Sequence, residues 1–246
     1  MIDIQKCRSE FVRYVKQFDF RDDHIMQKFH HSFRVMEYSI SIAKSLNLSE
    51  QDIEIATIIG LYHDIGRFTQ WKQYKTYEDR DSIDHADAGA EILLQENFLT
   101  LFSDDEEIQN TICKAIQNHN KLHIDDKLIE KELLFTKIIR DADKLDIMIE
   151  QNNEINTKCP SLNSKLISFI LNHKLCEDPY VRSCDEDHLL RTLAFIFDLH
   201  FGYSFKYLLD KQIIEKKLSL LEQHFGENDE MKQIKETILN YMKERC

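Results

Sequence analysis

The sequence predicts an all-α fold, on two observations. Gly and Pro number only 5 and 2 in 246 residues, too few chain-reversing residues for a protein built of many short strands. Apolar residues recur at steps of three and four, the spacing of one helix face. The length suffices for one large domain with a substantial core, or for a domain with an appendage. We expect a single all-α domain over residues 1–246, with its core at about 25–150 and a C-terminal helical extension at about 160–246.

Each element has its own signal. The opening segment, about 3–18, carries Ile4, Phe11, Val12, Val15 and Phe18 at roughly helical spacing. A second helix is expected over 26–46, where Phe29, Phe33, Met36, Ile40 and Ala43 step by four, three, four and three. Ser49-Glu-Gln-Asp52 reads as a helix N-terminus with acidic residues in its first turn. The helix it opens, about 53–62, is apolar nearly all round and should be central. Gly66 suits a helix C-terminus. Residues 67–84 are charged and aromatic without a helical stripe, and read as a long binding loop or lid.

Further helices are expected at 84–97, at 105–119 with Ile108, Ile112, Ala115 and His119 on one face, and at 131–151. The stretch 152–164 contains one of the two prolines, loses the apolar stripe and reads as a linker. Segments at about 164–176, 186–210 and 211–245 form a C-terminal helical layer packed on the first part. There is no internal repeat and no low-complexity tract.

Charge and cysteine content narrow the function. Asp and Glu number 44 against 32 Lys and Arg, a formal charge of -12. A nucleic-acid polymer would be repelled by the average surface. A small phosphate ester is not excluded, because a bound metal and a few local cations outweigh a distant field. Cys7, Cys113, Cys159, Cys176, Cys184 and Cys246 form no CxxC and no zinc-finger spacing. With no apolar signal segment and no run long enough to cross a bilayer, the expectation is reduced thiols in a cytoplasmic protein without a membrane partner.

The chemistry-bearing residues fall on successive helices. His31 lies on the second, with Arg34 one turn later. His63 and Asp64 end the strongly apolar third. His85 opens the next, in Asp84-His-Ala-Asp-Ala-Gly, and His119 ends the one after, in Asn118-His-Asn120. Asp143 and Lys144 lie in Arg140-Asp-Ala-Asp-Lys-Leu-Asp146. A single helical histidine is more often a surface or hydrogen-bonded group than a ligand, the reading given to His24, His123, His173, His188, His200 and His224. His30 cannot be told from its neighbour His31 by type. For the ordered set the bland reading weakens, because inward-pointing charged and imidazole groups need partners and a shared cation would satisfy them together.

These motifs resemble the HD-domain metal-dependent phosphohydrolases. His31-Ser-Phe-Arg34-Val35 is similar to the family's first motif, Tyr62-His63-Asp64-Ile65-Gly66 to the His-Asp pair, and Ala142-Asp143-Lys144-Leu145-Asp146 to the last. The resemblance covers about 25–150. It implies an HD-domain helical bundle carrying an additional C-terminal helical layer, in which His31, His63, Asp64 and Asp143 hold a divalent metal. Two histidines and two carboxylates suit Mn, Fe, Ni, Co or Zn, with Mg a further candidate. His85 and His119 match the extra histidines of members with a second ion, in which Asp64 would bridge; one or two ions is left open. Periodicity alone selects Asp141, inside the stripe of Leu134, Ile138, Leu145 and Met148, as the inward carboxylate. The family motif selects Asp143, with Asp141 as an acceptor behind it.

The implied activity is hydrolysis of a small phosphate ester, a nucleotide above all, by metal-activated water. Asp64 organises the site, while Arg34, Arg67 and Lys144 neutralise phosphate charge. Lys72, Lys75 and Arg80 of the long loop offer further cations, and Trp71, Tyr74 and Tyr77 offer rings on which a base could stack. Two other readings stand beside this one: a di-iron HD-type oxygenase, which the six-ligand set permits, and a catalytically inactive regulatory or binding module. A homodimer is left open.

Overall fold

The computed structural model describes residues 2–151, 153–157, 159–176 and 184–246, and all regular structure among them is helical. They fall into two compact units, Met1–Asp143 and Lys144–Cys246. The first contains α1 (Ile4–Val15), α2 (Asp23–Ser45), α3 (Glu50–Tyr62), α4 (Ile65–Tyr74), α5 (His85–Gln95), α6 (Phe98–Phe102), α7 (Glu106–Asn118) and most of α8 (Glu130–Glu150). The second takes the end of α8 and continues through α9 (Ser164–Leu171), α10 (Asp185–Leu193), α11 (Gly202–Asp210), α12 (Ile213–Phe225) and α13 (Asp229–Lys243).

Aspartate, serine and asparagine caps open several of the helices. Asp22 accepts from His24 N at α2, Ser49 from Asp52 N at α3, Asp84 from Ala86 N and Asp87 N at α5, and Asp105 from Glu107 N at α7. Each satisfies a backbone donor that has no partner inside its helix, worth about 1 kcal/mol. Helix α3 is the central rod of its unit and packs on α1, α2 and α7. Ile55, Ala56, Ile58, Ile59, Leu61 and Tyr62 are all buried, so no face of its last two turns meets water. The Tyr62 ring sits edge-on to Phe11, Phe98 and Phe102, and its hydroxyl donates to Cys7 O at 2.7 Å. That bond satisfies the one polar atom the ring takes into the core.

Two glycines permit the close approaches that shape this unit. A Cβ on Gly60 would stand 2.7 Å from Ser39 Oγ and 2.8 Å from Met36 Cα, so α3 lies hard against α2. A Cβ on Gly66 would stand 2.2 Å from His85 O. Gly66 therefore lies inside the first turn of α4 and lets it touch the start of α5. It does not end a helix, as the sequence suggested.

Other expectations change too. Helix α2 buries Ile25, His31, Ser32, Val35, Met36, Ser39, Ile42 and Ala43, a face rotated from the one the phenylalanines mark. Ser32 and Ser39 are fully buried and hide that face from an apolar count. Residues 67–74, expected in a loop, belong to α4. Its inward face includes Gln70, which is 0% exposed, so its stripe does not read as apolar. The irregular segment is shorter and runs from Lys75, in a left-handed conformation, to Asp84, with a 3-10 turn at Asp79–Asp81.

In the second unit α9 packs on α10 and α13, and α12 on α10, α11 and α13. The long helices expected at 186–210 and 211–245 are each broken. A 3-10 turn at Ala194–Asp198 and extended Phe201 separate α10 from α11; left-handed Gln212 precedes α12, and Gly226 at φ +74 ends it. Left-handed His173 likewise follows α9, ending the segment expected to reach 176. Of the linker expected over 152–164, residues 152 and 158 lie outside the described set, and the rest holds no helix before Ser164. Cys159 and Cys184 form a disulfide across 25 residues, with Cα atoms 5.8 Å apart. This corrects the expectation that all thiols are reduced; folding brings together two cysteines whose sequence spacing carries no signal.

Candidate metal centre

The His63-Asp64 pair stands where the chain turns from α3 into α4. His63 closes α3 with helical dihedrals, and Asp64, at φ -102 and ψ 17, is the residue before α4. Both are buried at the end of the central helix. Around them lie His31 from α2, His85 from the first turn of α5, His119 just past α7 and Asp143 from α8. His31, His85 and His119 are 5%, 2% and 3% exposed.

The side chains meet in two groups that share Asp64. His31 Nε2 and His63 Nε2 are 3.2 Å apart. Asp64 Oδ2 faces them at 3.4 and 3.7 Å, and Asp143 Oδ1 at 3.1 and 3.8 Å. On the other side His85 Nε2 and His119 Nε2 are 3.1 Å apart, with Asp64 Oδ1 at 3.2 and 3.6 Å. One carboxylate thus gives one oxygen to each histidine pair. The sets His31–His63–Asp64 and Asp64–His85–His119 each gather donors close enough to hold a metal ion.

Three of the rings are fixed from behind. His63 Nδ1 donates to Gly60 O at 2.9 Å, His119 Nδ1 to Ile116 O at 2.7 Å, and His85 Nδ1 to the carboxylate of Asp79 at 2.7 Å. These acceptors carry no proton, so each Nδ1 bears the hydrogen and each Nε2 turns a lone pair inward. Arg140 anchors the strand of backbone behind His119, donating to Asn118 O, His119 O and Lys121 O at 3.0, 3.2 and 2.5 Å. A buried guanidinium on the last carbonyls of α7 also opposes the negative end of that helix.

The electrostatics favour anionic carboxylates and a neutral His119. Burial works against charge on Asp64, but Lys28, His63, His119 and His31 outweigh it and hold the carboxyl well below the usual range. Asp143 is part-buried, which works against its charge, but His31 and His63 outweigh this and hold its carboxyl well below the usual range. Burial pushes the His119 imidazole down to about 4, against the pull of Asp64. Anionic carboxylates and unprotonated imidazoles are the forms that bind a divalent ion.

Of the remaining candidates, Arg67 lies at the site but is committed: Nε is 3.5 Å from Asp64 Oδ1, and Nη1 donates to Gln70, Tyr77 O and Asp79. Lys144, expected to neutralise phosphate, instead pairs with Asp198 at 2.8 Å and is 7% exposed. Arg34 is partly exposed on α2. Asp141 is fully buried in the α8 stripe, while Asp143 at its edge reaches His31. His30 is exposed, whereas its neighbour His31 is buried among the other candidate ligands.

The cations and rings of the long segment serve packing. Lys75 pairs with Asp22, Arg80 with Asp81, and Lys72 lies over Phe18. Trp71 stacks on His24 and donates to Asp22, and Tyr77 donates to His24 O. The exposed ring of Tyr74 is the one left at the surface.

Two residues at the site escape sequence reading. Lys28 Nζ reaches Asp64 Oδ2 at 2.8 Å and lies over the Tyr77 ring. Its position three residues before His31, on the same face of α2, was the available signal. Asp79, behind His85, had no signal beyond its place in an aperiodic segment.

The family model of the HD domain matches residues 29–148, so the chain carries an HD domain. The matched span runs from just before His31 to just beyond Asp143 and includes every residue of both metal-competent groups around Asp64. No curated protein and no solved structure gives a significant match. No helix among the described residues is long and apolar enough to cross a membrane.

Proposed function

We propose that this chain is a metal-dependent phosphohydrolase acting on a small phosphate ester through a centre of two divalent ions. The observation that carries the reading is the division of Asp64, with Oδ2 toward His31 and His63 and Oδ1 toward His85 and His119. His31, His63, Asp64 and Asp143 would hold one ion, and Asp64, His85 and His119 the other. Nitrogen and carboxylate donors in this proportion suit Mn²⁺, Fe²⁺, Co²⁺, Ni²⁺ or Zn²⁺. Such ions, when bound, acidify a water and polarise a phosphoryl oxygen.

The protein's own part is orientation and charge. Asp143 and Lys28 keep 18% and 16% of their side chains exposed, while Asp64 and the four histidines keep 0–6%. Substrate therefore approaches past Asp143 and Lys28. Lys28 now neutralises Asp64; a divalent ion taking that role leaves its ammonium for a phosphate oxygen. Arg67 stays between Asp64 and Asp79, and with His85 it favours the ionised form of Asp79 against its burial. The packing of Trp71 and Tyr77 against His24 leaves the nucleotide preference to the substrate screen.

The test is phosphate release from nucleotides, sugar phosphates and aryl phosphates with Mn²⁺, Co²⁺, Ni²⁺ or Mg²⁺, beside elemental analysis of the purified protein. Metal-stimulated phosphate release with two equivalents of metal is the expected result. Bound iron with oxygen-dependent turnover and no phosphate release would sink it in favour of an oxygenase. Neither metal nor turnover would favour a binding module.

A further inference from the structure

We propose that Asp79 is a positioning residue for the second ion: it fixes the His85 ring as an Nδ1–H tautomer with Nε2 aimed at Asp64. The inference rests on the two-ion reading above and adds a residue outside the ligand set.

Both oxygens of Asp79 lie within reach of His85 Nδ1, at 2.8 and 2.7 Å. A carboxylate accepts only, so the proton sits on Nδ1 and the lone pair on Nε2. The other donors to Asp79 come from neighbours of the same half of the site. Asn120, next to His119, donates to Oδ2 at 3.0 Å. Arg67, whose Nε lies near Asp64 Oδ1, donates to Oδ1 at 3.0 Å, and Gln70 donates to Oδ1 at 2.8 Å. His31 and His63 are not among these partners. A carboxylate behind a ligand histidine raises the basicity of the ring and holds its plane, and its loss typically weakens metal binding about 10–100-fold.

This gives the segment between α4 and α5 a purpose its composition did not suggest. Tyr77 on His24 O, Gln70 on Ile83 O and Arg67 on Tyr77 O tie it down at several points. Those ties hold the 3-10 turn at Asp79–Asp81 against His85. The segment is a bracket for one ligand, not a lid.

The experiment is Mn²⁺ titration of the full chain by calorimetry, wild type against Asp79→Asn, with Tyr77→Phe as control. Asparagine keeps the shape and removes the acceptor charge. Phenylalanine removes a tie of the segment without touching Asp79. We expect two ions in wild type, with the weaker-binding ion of Asp79→Asn lowered about 10–100-fold in affinity, the tighter one unchanged, and Tyr77→Phe like wild type. The ¹⁵N spectrum of metal-free wild type should show a protonated His85 Nδ1, and that signature should be lost in Asp79→Asn. Two ions bound with unchanged affinities in Asp79→Asn would overturn this inference while leaving the two-ion reading intact. An equal loss in Tyr77→Phe would overturn it as well, reducing Asp79 to a general anchor. Fewer than two ions in wild type would overturn the two-ion reading itself, and this inference with it.

Discussion

His85 Nε2 and His119 Nε2 stand 3.1 Å apart although each ring has already spent its proton elsewhere, His85 on Asp79 and His119 on Ile116 O. Two acceptors at that distance repel unless a positive charge lies between them. Burial holds His119 down to about 4, so that ring carries no second proton at neutral pH. A divalent ion satisfies both lone pairs and the adjacent Asp64 oxygen at once. His85→Ala and His119→Ala should each lower bound metal from two equivalents toward one, read by elemental analysis after dialysis. Two equivalents retained in both variants would remove these histidines from the site.

Removing the metal should destabilise the fold. Buried carboxylates and imidazoles held together by an ion lose their common partner when it leaves. Ligand linkage is worth about 2.7 kcal/mol at 100 times Kd, and a chain of this size shifts by about 2–4 °C per kcal/mol. A chelator should therefore lower the Tm by on the order of 5–10 °C, and added Mn²⁺ should restore it. An unchanged Tm would mean that the folded state gains nothing from metal.

His63 and Asp64 differ in how many partners they serve. His63 belongs to one histidine pair, whereas Asp64 faces both. His63→Ala and Asp64→Ala should each abolish metal-dependent phosphate release while the far-ultraviolet circular dichroism stays helical. Asp64→Ala should also lose both equivalents of metal, His63→Ala about one. Full activity in either purified variant would end the site assignment.

How much of this was legible follows from which forces leave a mark on a one-dimensional pattern. Helix α3 was readable because burial on every side demands apolar residues all round. His31, His63, Asp64, His85 and His119 were picked out as metal-ligand types on successive helices and Asp143 through the family motif, and the structure brings them together. Helix α4 was not, because Arg67 and Gln70 turn inward to bond the following segment and thus imitate a solvated face. Lys28 looks like any surface lysine until its partner is known. Asp79 and Arg140 act through contacts 6 and about 20 residues away in sequence, and neither spacing follows a periodicity. The breaks at Gln212 and His173 were hidden for another reason: left-handed backbone there falls on residues that do not usually signal it.

The two glycines of the α4–α5 contact should respond differently to alanine. A methyl at Gly66 would meet His85 O at 2.2 Å, and a backbone carbonyl in a helix start cannot swing away. A methyl at Gly89 would meet Ile65 Cγ2 at 3.5 Å, an ordinary contact. Gly66→Ala should cost about 1–3 kcal/mol or more as overpacking and, by displacing His85, weaken the second ion. Gly89→Ala should be neutral or gain about 0.4–1 kcal/mol from reduced freedom of the unfolded chain. Urea denaturation of both variants checks this; equal stabilities would contradict the close approach at Gly66.

The disulfide sets a count of accessible thiols. Cys7, Cys113, Cys176 and Cys246 are free, while Cys159 and Cys184 are bonded. Alkylation after denaturation without reductant should label four cysteines, and six after reduction, as read by intact mass. Six labels without reductant, in protein purified aerobically, would contradict the bond.

Lys217 provides a pH test in the second unit, remote in sequence from the metal ligands. Its side chain is 1% exposed, and its ammonium donates to Gln151 O at 2.5 Å and Asn153 Oδ1 at 3.3 Å. Burial pushes its pKa down from 10.5 to about 8. Between those two values the unfolded chain binds more protons than the folded one, so stability from this group rises with pH. Below about pH 8 both states carry the charge, and the folded state bears the full cost of burying it. Lys217→Met has no such dependence. The stability of wild type relative to Lys217→Met should therefore increase from pH 8 toward pH 10, by on the order of 1–3 kcal/mol, in urea denaturation at matched ionic strength. A difference that stays flat across that window would show that Lys217 keeps its ordinary affinity for the proton despite its burial.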